Sequence, residues 1–293
     1  MPPQTLCQKP NELDWLARKG RCTVATAMPT LPPPLVLPFY AFAAIAFTCW
    51  ALSVVTREYS WVDRIWSLTP QLYVGLMAYQ RGFSDPRLNL MTALTTLWGA
   101  RLTFNFARKG GYAKGGEDYR WAVLRARMPP AVYQVFNLVF IAGYQNFLLL
   151  LIALPAWEAY RNPTALGALD YALAGLFLLL LLGETVADQQ QWNFHAAKKA
   201  GSASKRYLDT GLWAYSRHPN FFCEQAQWWV VYGFSVAAGA KAANPTLVGP
   251  VLLTLLFHGS TKFTEEITAQ KYPEYAEYQA RVSRLVPWFA NRA

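Results

Sequence analysis

The sequence predicts an all-α integral membrane protein: a bundle of about seven transmembrane helices with cytosolic loops and an amphipathic C-terminal tail. Three observations carry that expectation. Of 293 residues, 54% are hydrophobic and only 15% charged, where a soluble domain carries roughly 25% charged. Mean hydropathy is +0.11, as expected for spans joined to a sizeable polar portion. The Lys and Arg residues collect in alternate inter-span segments, as they do in multi-pass proteins. Such a composition excludes a disordered chain, and 18 Gly with 19 Pro in no repeat exclude a collagen-like one. The net charge of +10 reads as cytoplasmic loop charge rather than a nucleic-acid surface. Cys7, Cys22, Cys49 and Cys223 form no CxxC pair, so neither a metal site nor a disulfide framework is expected.

Residues 1–36, ending in TLPPPLVLP, read as a poorly structured segment ahead of one membrane domain over 37–293. They lack the apolar stretch of a cleavable signal before Leu35. The spans then follow in order, each judged against the roughly 17–25 apolar residues needed to cross. Leu37 to Val55 is the first. Ile65 to Tyr79 is the weakest, short and interrupted by Pro70 and Gln71. Leu88 to Phe106 carries Arg101 inside it. Val132 to Trp157 is long enough to cross tilted, and Gly167 to Gly183 is the most apolar. Phe221 to Ala237 and Pro245 to His258 complete the set, with six spans as the fallback. Outside the spans, 18 basic residues fall on the side of loops 56–64, 107–131, 186–220 and the tail, against 8 on the other. The positive-inside rule makes the richer side cytosolic. The membrane is the endoplasmic reticulum if the source is eukaryotic.

Chemistry concentrates in four places on that side. In GLWAYSRHPNFFCEQAQWW, Gly211 to Trp229, Pro219 predicts an extended residue before it and a helix start after it. Asn220 is then expected at or beside the N-cap. Glu224, one turn into a span, is expensive in hydrocarbon and should face a polar cavity. A capped helix with a structural His is the plainer explanation of the RHP tripeptide alone. In GETVADQQQWNF, Glu184 and Asp188 lie four apart on one helix face, where a hydrogen-bond-donating ligand would give them a purpose. Ordinary interfacial polarity is the alternative. The loop RKGGYAKGGEDYRW, Arg108 to Trp121, combines paired glycines with bases that could neutralise phosphates, or serves as a basic loop against lipid headgroups. The stretch from His258 to Trp288 reads as an interfacial amphipathic tail.

Together these elements resemble the DUF1295 branch of the steroid 5α-reductase-like membrane enzymes. The resemblance rests on Asp63 with Trp66, on Trp98, Arg101 and Leu102, and on Glu117 to Trp121. It continues through Glu184, Asp188 and Gln189, then Gly211 to Asn220, Glu265, Tyr275, Tyr278 with Gln279, and Pro287 with Trp288. It implies seven spans and NADPH held at the cytosolic face, with a lipid or sterol-like substrate. The implied reaction is reduction of a C=C bond in an enone. Asn220 and Glu224 would meet the nicotinamide side, Glu184 and Asp188 the polar middle, and Arg101, Arg108 and Arg217 the phosphates. Tyr215, His218 and Glu265 complete the implied cofactor set. Two departures stand out: Cys223 where a Gly is usual, and no Glu and Tyr at the usual substrate-polarising positions. Asp63 and Tyr112 are the catalytic candidates in their place.

RHP at a helix start, Glu265 with Glu266, and the Tyr-x-x-Tyr tail also resemble isoprenylcysteine and phospholipid methyltransferases. Those would bind S-adenosylmethionine at the same face, but they lack Glu184/Asp188 and the EDYRW loop. A third possibility is a non-catalytic lipid-binding or scaffold protein.

Overall fold

The computed structural model describes residues 31–289; residues 1–30 and 290–293 lie outside it, and most of the proposed unstructured N-terminal segment falls there. The described part of that segment is helical from Pro33 onward. Helix α1 spans Pro33–Thr56, with its two leading prolines at positions where the missing N–H groups need no partner. The short α2 (Trp61–Trp66) and α3 (Thr69–Gln80) follow, then α4 (Pro86–Arg108). Asp85 caps α4 by accepting from the Leu88 N–H, and Pro86 opens it. After a loop come α5 (Tyr119–Arg127) and α6 (Pro130–Phe136). The latter passes through a π-helical turn, Asn137–Tyr144, into α7 (Gln145–Ala153) and α8 (Pro155–Arg161). The remaining helices are α9 (Ala168–Lys199), α10 (Pro219–Ala237), α11 (Val248–Lys271) and α12 (Tyr275–Arg281). Among the described residues every regular element is helical.

Three stretches are long and apolar enough to cross a bilayer: Pro33–Thr56, Pro130–Arg161 and Ala168–Lys199. The protein is thus a multi-pass membrane protein. Only 11% and 17% of the most apolar windows of α1 and α9 are buried, against 61% for Pro130–Arg161. The last is therefore the central helix and the other two present their leucines and phenylalanines outward. Trp98 on α4 and Trp228 on α10 meet edge to face with ring centroids 4.9 Å apart, joining those helices at the centre of the core.

Three local departures from the sequence expectation matter for function. The weak second span is two helices, broken at Ser67–Leu68; twelve residues of α3 rise about 18 Å, short of a hydrocarbon core of about 30 Å. The break fits against Gly99 of α4. A Cβ there would lie 2.4 Å from the Ser67 carbonyl oxygen and from Gln71 Nε2, so only glycine permits the approach. Second, α9 does not end near Glu184 and Asp188 but runs on to Lys199. Both acids therefore sit mid-helix, free of the dipole penalty expected at a C-terminus. Third, the tail is not a free interfacial helix. Past the apolar part of α11, the helix continues to Lys271, and α12 folds back so that Tyr275, Tyr278 and Val282 are buried with Tyr207.

Candidate functional site

The break between α2 and α3 opens onto a cavity of about 630 Å³. Its walls are apolar, with Leu102 and Phe106 of α4, Phe136 and Phe140 before α7, and Leu255 and Leu256 of α11. Phe136, Phe140 and Tyr144 stack in a ladder, with successive centroids 4.9 and 5.4 Å apart. The π-helical turn sets this register, a distortion that recurs at functional sites. Asn137 within the turn donates to Ser53 Oγ at 2.8 Å, tying the ladder to α1.

Polar groups are few and sit together. Asp63, Asp118, Arg120, Ser260 and Glu224 all line the cavity. Trp121 Nε1 donates to Asp63 Oδ2 at 2.7 Å, and Trp66 Nε1 donates to Glu224 Oε1 at 3.3 Å. Asp118 caps α5 through the Arg120 N–H and holds the Arg120 guanidinium with both oxygens, at 2.9 and 2.7 Å. Burial, reinforced by the charge of Asp118, pushes the Asp63 carboxyl above its ordinary range. Glu224 is buried and has no basic partner within salt-bridge distance among the described residues.

Beside the cavity lies a second polar cluster, built between α4, α9 and α10. Arg101 donates to Glu184 and to Asp188; Asn105 and Asn220 also donate to Asp188, at 2.7 and 3.3 Å. Gln227 donates to Glu184 at 2.7 Å. Arg108 reaches Asn105, Gln189 and the Asp188 carbonyl. The arginines suggested for phosphates are thus engaged by the protein's own oxygens. Asn220 lies in the first turn of α10 rather than at its cap, because Pro219 takes the first helical position and His218 the cap. Its Oδ1 has no partner among the described residues.

Arg217 and His218 form a third cluster. Arg217 grips Glu265 with Nε and Nη2, at 2.7 and 3.0 Å, and reaches the Gln279 and Val282 carbonyls with Nη1. His218 Nε2 lies 3.0 Å from Glu265 Oε1, and Gln279 donates to Oε2 at 3.0 Å. Burial alone would raise the Glu265 carboxyl, but these bonds from His218, Arg217 and Gln279 outweigh it and hold the group down at about 2. Ser216, Arg217 and Tyr215 also bond the backbone of residues 283–288. This part of the SRHPN motif latches the tail.

The structure therefore brings Asp63 and Glu224 to one cavity, and Arg101, Arg108, Glu184, Asp188 and Asn220 to one cluster. Tyr215, Arg217, His218 and Glu265 are gathered elsewhere, with Tyr215 half exposed against Phe289. Tyr112 is absent from the cavity wall: its hydroxyl donates to the Arg64 carbonyl at 3.0 Å. Cys223 does not crowd the cavity either. Its sulfur stands 3.1 Å from where a Cβ would sit on Gly183, filling the gap between α9 and α10. Sequence reasoning missed Ser260 and Gln145, both on the cavity wall. Gln145, amid VFIAGYQNFLLLL, was readable as a polar residue with no place in lipid; Ser260 carried no signal.

A family described as "Protein of unknown function (DUF1295)" matches residues 49–282. The chain belongs to the DUF1295 family. The matched stretch contains the cavity, the α4–α9–α10 cluster and most of the latch. The chain is also 36% identical over 274 residues to the uncharacterized protein C594.04c of Schizosaccharomyces pombe, covering 87% of this chain and 80% of that one. No solved structure matches.

Proposed function

We propose that this DUF1295 protein is an NADPH-dependent reductase embedded in the membrane, acting on a C=C bond in a lipid or steroid-like enone. Support comes chiefly from part-buried Asp63 and buried Glu224, two carboxyls that share one apolar cavity and have neutral indole partners. Burial favours the acid form of Asp63, which would donate a hydrogen bond to a conjugated carbonyl and draw electron density from the β-carbon. Glu224 and the unpartnered Oδ1 of Asn220 suit an amide-bearing ring, since each accepts and the amide donates. NADPH, when bound, would supply the hydride, and the Asp63 carboxyl the proton that completes the reduction. The Arg101–Glu184–Asp188 cluster then orients Asn220 rather than binding phosphate. Phosphate contacts fall instead to exposed bases of the cytosolic loops: Lys114 and Lys199, joined by Lys109, Lys198, Lys205 and Arg206 where a phosphate displaces their present partners Asp188, Tyr272, Asp209 and Glu274.

The seven-span topology with these loops in the cytosol belongs to the same proposal. A methyltransferase would need free carboxylates for S-adenosylmethionine. Glu265 is occupied by the latch, and Glu266 pairs with Arg127 at 3.0 Å. Equilibrium binding of NADPH, NADH and S-adenosylmethionine to the detergent-purified chain tests the reading. NADPH is expected to bind tightest, through charge-assisted bonds to its additional phosphate. Equal affinity for NADPH and NADH would remove the phosphate assignment, and tight S-adenosylmethionine binding the reductase assignment.

A further inference from the structure

The geometry points to an uncharged lipid with an oxygen-bearing head as the occupant of the 630 Å³ cavity, and to rejection of anionic lipids. The inference deepens the reductase proposal by naming the substrate class, but it rests on the cavity wall and is tested without nucleotide.

The charged side chains facing the cavity are Asp63, Asp118, Glu224 and Arg120. Arg120 is already committed. Its Nε and Nη2 are bound to Asp118, and its Nη1 donates to Ser260 Oγ. Asp63 and Glu224 take their hydrogen bonds from Trp121 and Trp66, which are neutral. Arg64 and Arg101, on the neighbouring elements, are tied to Glu58 and to Glu184 with Asp188.

Among the described residues, a sulfate, phosphate or carboxylate head entering this cavity would find no free cation and two carboxyl groups beside it. A charge in such surroundings is costly unless paired. A hydroxyl or carbonyl needs no counter-charge: a protonated carboxyl donates to either, and an ionised one accepts from a hydroxyl. A cationic amine would need an ionised carboxyl beside it, against the burial that favours the acid form of Asp63. The volume lies within the range of about 300–1,000 Å³ usual for ligand sites. The Phe136–Phe140–Tyr144 ladder and the leucines of α11 take the tail.

The test measures equilibrium binding of tritiated oleyl alcohol to the full chain in nanodiscs near neutral pH. Unlabelled oleyl alcohol, oleyl sulfate and sphingosine, which share a long chain but differ in head charge, serve as competitors. Oleyl alcohol is expected to displace the label at least about tenfold better than oleyl sulfate, a difference of about 1.4 kcal/mol. Asp63→Asn and Glu224→Gln should each narrow that gap, and Leu256→Trp, which fills the cavity, should abolish binding. Oleyl sulfate equal to the alcohol, sphingosine better than the alcohol, or binding untouched by Leu256→Trp would each overturn the inference. The wild-type comparison stands even where a variant does not fold. Failure of NADPH to bind, with the head-group ranking intact, would sink the reductase reading and leave the cavity assignment standing.

Discussion

Replacing Glu224 by Gln preserves the side chain's shape and its acceptor for Trp66 while removing the capacity to ionise inside a span. An unpaired carboxylate there costs at least about 2.5 kcal/mol. Glu224→Gln is therefore expected to leave the thermal midpoint of the nucleotide-free protein at or above wild type. NADPH affinity should fall about tenfold or more, measured by titration on the same preparation. Lost stability with intact affinity would show that Glu224 serves the fold instead. Glu265→Gln should behave in the opposite way. It removes a charge on which Arg217, His218 and Gln279 converge, and breaking such a buried pair costs about 3 kcal/mol or more. The folded-state value of about 2 lies below the ordinary 4.5. The contribution is therefore complete above about pH 4.5 and is lost as pH falls through 2. The gap in thermal midpoint between wild type and Glu265→Gln should stay constant from neutral pH down to about 4.5 and shrink progressively below it. A gap that widens on acidification would contradict the latch.

At the scale of elements, the contact between α3 and α4 depends on a missing side chain. Gly99→Ala puts a methyl 2.4 Å from the Ser67 carbonyl oxygen, so one helix must move. Overpacking of this kind costs about 1–3 kcal/mol, and because the displaced segment carries Trp66, lipid binding in the cavity should weaken as well. Thermal unfolding and the oleyl alcohol titration together check this; an unchanged protein would mean the break is pliable. The prolines made this break legible in advance, since Pro70 and Gln71 already marked the second span as interrupted. The π-helical turn was not legible: NLVFIAGY has no residue that demands the wider turn, and it is packing against α1 that accompanies it. The length of α9 was misjudged for a related reason. Hydropathy falls at Gly183, but helix propensity does not, and QQQWNFHAAKK continues the helix without a breaker.

For the whole molecule, apolar content and charge patterning predicted the helical membrane architecture from the sequence, because lipid leaves the backbone few alternatives. The same pattern could not sort charged residues into clusters. Arg101, Arg217 and Glu265 looked alike as candidates for a ligand, yet two of the three are joined to each other across 48 residues of sequence, a pairing that no local periodicity encodes. Topology remains the property most directly open to test. With native cysteines replaced, single cysteines at the exposed positions Ser202 and Gln270 are expected to react with an impermeant maleimide from the cytosolic side only. Labelling from the opposite side would invert the orientation and remove the proposed cofactor face.

The latch also has an order in time. Synthesis runs from the N-terminus, so Ser216, Arg217 and His218 are made well before Gln279, Val282 and the 283–288 backbone that they hold. Until the ribosome lets go of the C-terminus, Arg217 has part of its acceptor set missing, although the last apolar helix is already available for insertion. A chain that stops at Lys271 would enter the membrane with its helices in place and this clasp open. Completion of the protein is thus a separate event from its insertion, marked by the carbonyl acceptors that Arg217 Nη1 gains only then.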